Sequence, residues 1–514
     1  MVAQFALPFQ YVEDEKSLGA TALAGLPVCV ELMRAARLRE SIERHVVARG
    51  PESQGWADAE MVQAAILLNL AGGEAVDDFD SLEADGGFSM LMGRMATHGL
   101  TPAERSAQEL RWRKSRERAV PSPSAVFRYL ELFHDGEQEV ARRADTAPKA
   151  FIPKPRAALS GLSRVNADLV AFVQRVAPQA VATLDMDATL VPTTKRSALF
   201  CYKQFRAYQP LNTWWAEQGL MLHSEFRDGN VPAGHEQLRV LKDALACLPE
   251  GVRKVRLRSD TAAYQVELLR YLAEGRDERF GTIDFSISSD VTPEFKKAVG
   301  ELPESAWNKL GPARNAAGTD TAGQEWAEVV YVPNWAGHSK KGPSYRFIAI
   351  REPLRQLALP GVGGQQELPF PTMDFASRGR YKLFGIVTNR DLAGDALIHW
   401  HRERCGKSEE AHAVMKNDLA GGQLPSGKFG ANAAWWAMMV LAFNLNIILK
   451  RHALGGAWAD RRMKALRFGF LCIPGWVVRH ARQLSVRISA SHPALKWLAI
   501  ARERIAAWLR GTDP

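Results

Sequence analysis

The sequence predicts an α/β protein, a mixed sheet flanked by helices, with a helical N-terminal domain, a β-rich insertion and a helical C-terminal region. Three observations predict it. Apolar periodicity is helical to about residue 150 and turns to strand-like alternation near residue 178. Strand and helix segments then alternate to about residue 290, and helical periodicity returns from His399 onward. A chain of 514 residues also exceeds one ordinary hydrophobic core, so several domains are expected. The expected boundaries are 1–150 for a helical N-terminal domain, 151–295 for the first part of the core and 296–395 for the insertion. A core helix follows over 396–430, and the C-terminal region covers 431–514.

In the first region, Ala57–Leu70 is an apolar helix stopped by Gly72-Gly73. Arg111–Arg118 (RWRKSRER) is strongly basic, and Pro121-Ser122-Pro123-Ser124 precedes a capped helix through Phe127, Leu130 and Phe133. Such a module suits DNA binding through Arg111, Arg113 and Lys114, although a solvated face on an ordinary helical bundle explains it as well. The Pro- and Lys-rich Ala147–Arg156 reads as a linker.

Val181–Val191 is then a strand, with further strands near Leu199–Tyr208 and Leu220–Phe226. His235–Leu248 is an amphipathic helix, Lys254–Arg258 a short strand, Tyr264–Ala273 a helix and Phe280–Ser286 a strand. The order β-β-β-α-β-α-β is that of an RNase H-like core. Between 296 and 395 the chain is rich in Gly and Pro, with β runs at Glu328–Val332, Tyr345–Ile350 and Tyr381–Thr388.

The formal charge of +9 suits a polyanionic partner without specifying one. Cys29, Cys201, Cys247, Cys405 and Cys472 are scattered, so no disulfide framework or zinc site is expected, in keeping with a reducing cytosol. MVAQFALPFQYVEDEK is too polar for a signal peptide. Ala433–Leu449 approaches a membrane span in length, yet Asn444 and Asn446 interrupt it and a buried core helix is expected. The expected location is the cytoplasm, with no membrane partner.

With a strand period of two, Asp185, Asp187 and Thr189 share one face, and Leu184, Met186, Ala188 and Leu190 fill the other. Two carboxylates on a covered sheet repel one another and lose hydration, and a bound cation removes both problems. The competing reading is an edge strand with its polar face in water. Asp260 falls at the carboxyl end of the RNase H-like fourth strand, where ligands gather in such sheets, but also where a helix N-cap belongs. On a continuous helix, Glu409, His412 and Lys416 line one face, since residues seven apart are offset by about 20 degrees. Glu409 would hold a metal and Lys416 contact a phosphate; a solvated face with a weak ion pair is the alternative. Three carboxylates around two divalent ions fit in-line attack on phosphorus, with Mg2+ expected and Mn2+ able to substitute.

These segments resemble the bacterial insertion-sequence DDE transposases, most closely insertion-sequence family 1380, over nearly the whole chain. The resemblance rests on Gly72-Gly73-Glu74 with Asp77-Asp78, L-D-M-D-A-T at 184–189 and R-S-D at 258–260. It continues through H-R-E-R-C-G-K-S-E-E-A-H-A-V-M-K at 401–416 and L-P-S-G-K-F-G-A-N-A-A-W-W at 424–436. The wider group carries a Tyr-x2-Arg-x3-Glu-x6-Lys signature. Here His401 replaces the tyrosine, while Arg404, Glu409 and Lys416 match the rest, with one extra residue between Arg404 and Glu409. That extra residue keeps Glu410 open as an alternative to Glu409. The D-x-T pattern falls on Asp187 and Thr189, whereas strand geometry alone leaves Asp185 open.

The resemblance implies cut-and-paste cleavage and strand transfer at terminal inverted repeats, with Asp187, Asp260 and Glu409 as the catalytic triad and two metal ions. It also implies DNA contacts from Lys416, Arg404 and His401, and a homodimer in the DNA complex. In some related transposases the insertion supports a DNA hairpin intermediate, with an aromatic residue stacked on a flipped base, which makes Trp307, Trp326 and Trp335 candidates, each against the alternative of a core tryptophan. Two other functions stay open: a catalytically dead or domesticated DNA-binding protein, and another RNase H-like metal-dependent nuclease.

Overall fold

The computed structural model describes residues 19–50, 53–112, 117–144, 150–311, 323–333, 345–354, 370–375, 379–480 and 483–511. The chain divides into two compact units. One comprises Met1–Ala177, Val191–Ala207 and Ala413–Pro514; the other comprises Pro178–Leu190 and Tyr208–His412.

In the first unit, the expected N-terminal helices and the C-terminal region fold together around one buried helix, Phe429–Ile448. That helix, with its continuation to Leu454, is long and apolar enough to cross a membrane, yet 94% of its most apolar window is buried within the chain. It packs on the helices Asp58–Ala71 and Ala157–Val176. Asn444 has a partner inside this core: its Nδ2 donates to Asn166 Oδ1 at 2.7 Å. A buried amide so satisfied costs little, so the asparagine does not interrupt the helix. Asp58–Ala71 ends at Gly72 in the left-handed region (φ 109°), which glycine adopts without strain. Arg467 caps its last turn by donating to the carbonyls of Leu70 (3.0 Å) and Asn69 (2.6 Å). The capped helix after the basic segment is Pro123–Glu131, with Ser122 Oγ accepting from Ala125 N at 3.3 Å. The C-terminal region is not wholly helical: Gly475–His480 and Gln483–Arg487 form a hairpin that pairs with Ala20–Thr21.

The second unit is built on one mixed sheet. Its strands are β1 Val181–Ala188, β2 Leu211–Trp215, β3 Leu220–Glu225, β4 Lys254–Ser259 and β5 Asp284–Ser289. These are followed by β6 Asn308–Lys309, β7 Glu325–Val329, β8 Arg346–Pro353, β9 Thr372–Phe375 and β10 Gly379–Thr388. Helices α1 Gln237–Ala246 and α2 Val266–Ala273 connect β3 to β4 and β4 to β5, and α3 Pro293–Gly300 follows β5. The helices α4 Gly394–Arg402 and α5 Lys407–Ala413 close the unit.

The first five strands lie in the order β3-β2-β1-β4-β5, antiparallel among the first three and parallel from β1 through β4 to β5. This is the RNase H-like arrangement expected from the element order. One strand differs: the second is Leu211–Trp215, not Leu199–Tyr208, most of which belongs to the other unit. Leu211, Asn212, Thr213 and Trp215 are all buried, so a strand covered on both faces shows no apolar–polar alternation to read.

Strands within 296–395 extend the core sheet: β7 lies at Glu325–Val329, against an expected Glu328–Val332, β10 pairs antiparallel with β5, and β8, β7 and β6 follow outward. An apolar cluster of Leu310, Ile348, Ile350, Ile386, Leu397 and Ile398 packs α4 on this extension. Trp326 packs against that cluster, and a Cβ added at Gly394 would meet its ring at 2.2 Å.

Candidate active site

Strand β1 is central, hydrogen-bonded to β2 on one side and β4 on the other. Its residues from Ala182 to Met186 are buried, so the edge-strand reading is wrong and the polar face is covered. The two aspartates of this face have different partners. Asp185 lies opposite Arg258 in the parallel register with β4. Arg258 Nε donates to Asp185 Oδ1 at 2.7 Å and Nη2 to Oδ2 at 2.8 Å, a bidentate pair with both side chains buried. Arg258 Nη1 also donates to the Trp400 carbonyl and to Glu403, each at 2.8 Å. The guanidinium occupies both Asp185 oxygens, and the pair is an internal clamp between β1, β4 and α4.

Among the described residues, Asp187 has no such bidentate partner. Its carboxyl is 24% exposed at the end of β1, with His412 Nδ1 3.9 Å from Oδ2. Burial first, and the charge of Asp260 second, push its pKa up to about 7; Glu409 adds to this and Arg404 opposes it. Asp260 follows directly on β4, whose last residue, Ser259, pairs with Met186. One Asp260 oxygen accepts from Ala262 N at 3.0 Å and caps the short turn Thr261–Ala263. The N-cap expected as a competing role is therefore present, on that turn and not on the helix after it.

Glu409 is exposed in the first turn of α5, where Oε2 accepts from Gly406 N at 2.6 Å. It is the carboxylate of this helix that raises the Asp187 pKa. Among the described residues, no three His, Cys, Asp or Glu side chains close on one point as a finished cage. The donor set nevertheless fits a hard divalent ion. Asp187, whose proton affinity is raised by burial and then by the charge of Asp260, is an oxygen donor of the kind such an ion takes, and Mg2+ sites typically use one or two carboxylates and take further ligands from substrate phosphates.

The remaining candidates separate. Arg404 is half-buried, lowers the pKa of both Asp185 and Asp187, and has no hydrogen-bond partner for its buried Nε among the described residues. His401 does not face solvent as a DNA contact must. It is 5% exposed, its ring nitrogens lie 3.0 Å from Ser286 Oγ and 3.1 Å from Ser288 Oγ, and burial lowers its pKa to about 3. A neutral, enclosed imidazole is a core group and not a phosphate ligand.

The row Glu409–His412–Lys416 is broken. Helix α5 ends at Ala413, and Lys416 lies in a π-helical turn, Val414–Asp418, in the other unit. The wider turn changes the angular step on which the seven-residue spacing rests. Arg111 spends its Nε on the Gly55 carbonyl at 3.1 Å. Trp326 is packed in the apolar cluster, and Trp307 lies flat on Arg351, whose Cζ is 4.0 Å from the ring centroid. Both rings are half-buried and make these contacts within the chain. Arg113, Lys114 and Trp335 lie outside the described residues.

Two features escaped the sequence: the Arg258 clamp, and the Asn212–His412 contact at 3.0 Å beside Asp187. Arg258 had a usable signal, since it stands two residues before Asp260 on a strand and so shares its face.

A family profile described as "Transposase DDE domain group 1" matches residues 19–509. A search of curated protein sequences finds no match. Among solved structures, the chain is similar to one described as "Cryo-EM structure of piggyBac transposase synaptic complex with hairpin DNA". The identity is 10% and the TM-score 0.42, over 88% of this chain and 82% of that one. With the profile spanning nearly its whole length, this chain belongs to the family of transposase DDE domain group 1 and is a DNA-binding, DNA-cleaving transposase, of a class that generally uses divalent metal ions.

Proposed function

We propose that the chain cuts and rejoins DNA at the terminal inverted repeats of its own insertion sequence, of family 1380, with Asp187, Asp260 and Glu409 holding two Mg2+ ions. One observation carries this reading. Asp187, at the end of the central strand, is the carboxyl whose charge is opposed by both Asp260 and Glu409, which supports a site shared by the three. The bidentate clamp on Asp185 favours Asp187 as the ligand, and the influence of Glu409 on Asp187 favours Glu409 over Glu410. The ions would activate water or a 3′-hydroxyl and stabilise the leaving 3′-oxygen. The chain's own residues hold the negative charge in a half-buried place, and Arg404 is left to meet a DNA phosphate there. Lys416 contacts the DNA backbone, as do the basic residues from Arg111 to Lys114, and two copies of the chain pair the element's two ends. The intact, unclamped Asp187, Asp260 and Glu409 favour an active enzyme over a catalytically dead descendant.

The test is cleavage of a labelled duplex bearing the element's end. Asp187→Asn, Asp260→Asn and Glu409→Gln each abolish cutting and leave end binding nearly intact. Normal cutting by Glu409→Gln with loss in Glu410→Gln would move the third ligand by one residue; normal cutting by Asp187→Asn would sink the triad.

A further inference from the structure

A line of side chains crosses the sheet and ends on Asp187. Asn212 of β2 is the direct partner of Asp187, and Ser224 of β3 is the direct partner of Asn212. Residues in register across antiparallel strands project from the same face. Ser224 Oγ donates to Asn212 Oδ1 at 2.6 Å, which turns the amide so that Nδ2 faces His412. Nδ2 lies 3.0 Å from His412 Nε2. An amide nitrogen only donates, so Nε2 accepts and the ring proton resides on Nδ1. Nδ1 is the atom 3.9 Å from Asp187 Oδ2, and the ring is 6% exposed.

We propose that His412 is a positioning residue for Asp187: Ser224 and Asn212 hold it as the Nδ1–H tautomer, and that N–H fixes how the Asp187 carboxylate is presented to a divalent cation. The inference rests on the reading of Asp187 as a metal ligand. It assigns the Ser224–Asn212–His412 chain a part like that of outer partners around metal-binding carboxylates, acting here through the Nδ1–H dipole at 3.9 Å, outside direct hydrogen-bond reach; loss of such partners typically costs ~10–100-fold in metal affinity.

The experiment is Mn2+ binding to the metal-free full chain, followed by electron paramagnetic resonance, with no DNA cleavage required. His412→Leu and Asn212→Leu each weaken Mn2+ binding by ~10–100-fold, while His412→Gln, which keeps an N–H donor, retains most of the affinity. Ser224→Ala, a change that leaves the packing nearly intact, gives a smaller loss and carries the test if either leucine variant does not fold. In protein labelled with 15N-histidine, one ring shows a protonated Nδ1 and an unprotonated Nε2, and Asn212→Leu removes that signature. Wild-type Mn2+ affinity in His412→Leu or, should it not fold, in Ser224→Ala, alongside loss in Asp187→Asn, overturns the positioning role and leaves the ligand reading standing. Wild-type affinity in Asp187→Asn overturns the ligand reading and the inference with it.

Discussion

Replacing Asp187 by asparagine separates what this residue costs the fold from what it gives the chemistry. Its pKa moves from an ordinary 3.8 to about 7, chiefly through burial and secondly through Asp260. Because the folded value lies above the unfolded one, the native state binds the extra proton. Stability is therefore lost as pH rises from about 4 to about 7. A shift of about three units, at about 1.4 kcal/mol each, makes ionised Asp187 cost up to ~4 kcal/mol at pH 8. With the carboxyl part-exposed, ~2–4 kcal/mol is the working range. By pH 5 only about a third of that cost has accrued.

The amide of the Asp187→Asn variant carries no charge, so in metal-free protein the variant melts a few degrees above wild type at pH 8, and by much less at pH 5. Millimolar Mg2+ or Mn2+ reverses the order by stabilising wild type and leaving the variant unchanged. Differential scanning calorimetry at the two pH values, with and without metal, reads all four numbers. A metal-free variant that melts below wild type at pH 8, or a gap that does not widen from pH 5 to pH 8, refutes the electrostatic account.

Further outcomes follow from the same geometry. Arg258→Met strands a buried carboxylate and costs ~3–5 kcal/mol in denaturant unfolding, whereas the double change with Asp185→Leu recovers most of that loss. His401→Ala lowers stability by about 2 kcal/mol yet leaves the salt dependence of DNA binding unchanged, since its ring meets serines and not phosphate. Lys416→Ala flattens the slope of log affinity against log salt by about one phosphate contact. Gly394→Ala drives a methyl into the Trp326 ring and destabilises by ~1–3 kcal/mol, measurable as a lower thermal midpoint.

Much of the core was legible because its signals are local. Strand β1 alternates, helices α1 and α2 are amphipathic, and the order of elements is that of the RNase H-like sheet. What escaped depends on pairings between distant segments. Asp185 and Asp187 are equivalent by period, and only the register that sets Arg258 beside Asp185 separates them. Strand β2 is buried on both faces and has no pattern to display. The runs of the insertion read as strands, but nothing in them says that β10 pairs with β5 and continues the core sheet. The helix row ending at Lys416 assumed an uninterrupted α-helix, and a π-turn defeats that arithmetic. The resemblance sets His401 in the place of a signature tyrosine, yet the packing of α4 on β5 encloses it between two serines.

The central claim is that Asp187, Asp260 and Glu409 hold a divalent ion together. Fe2+ bound in place of Mg2+, treated with hydrogen peroxide and with ascorbate to recycle the iron, is oxidised to Fe3+ as the peroxide is split to hydroxide and a hydroxyl radical, which cuts the polypeptide nearest the metal. The account predicts backbone cuts clustered around residues 187, 260 and 409 in the DNA-bound enzyme, suppressed by excess Mg2+. Cuts absent from any one of these three places, or undiminished by Mg2+, would contradict it.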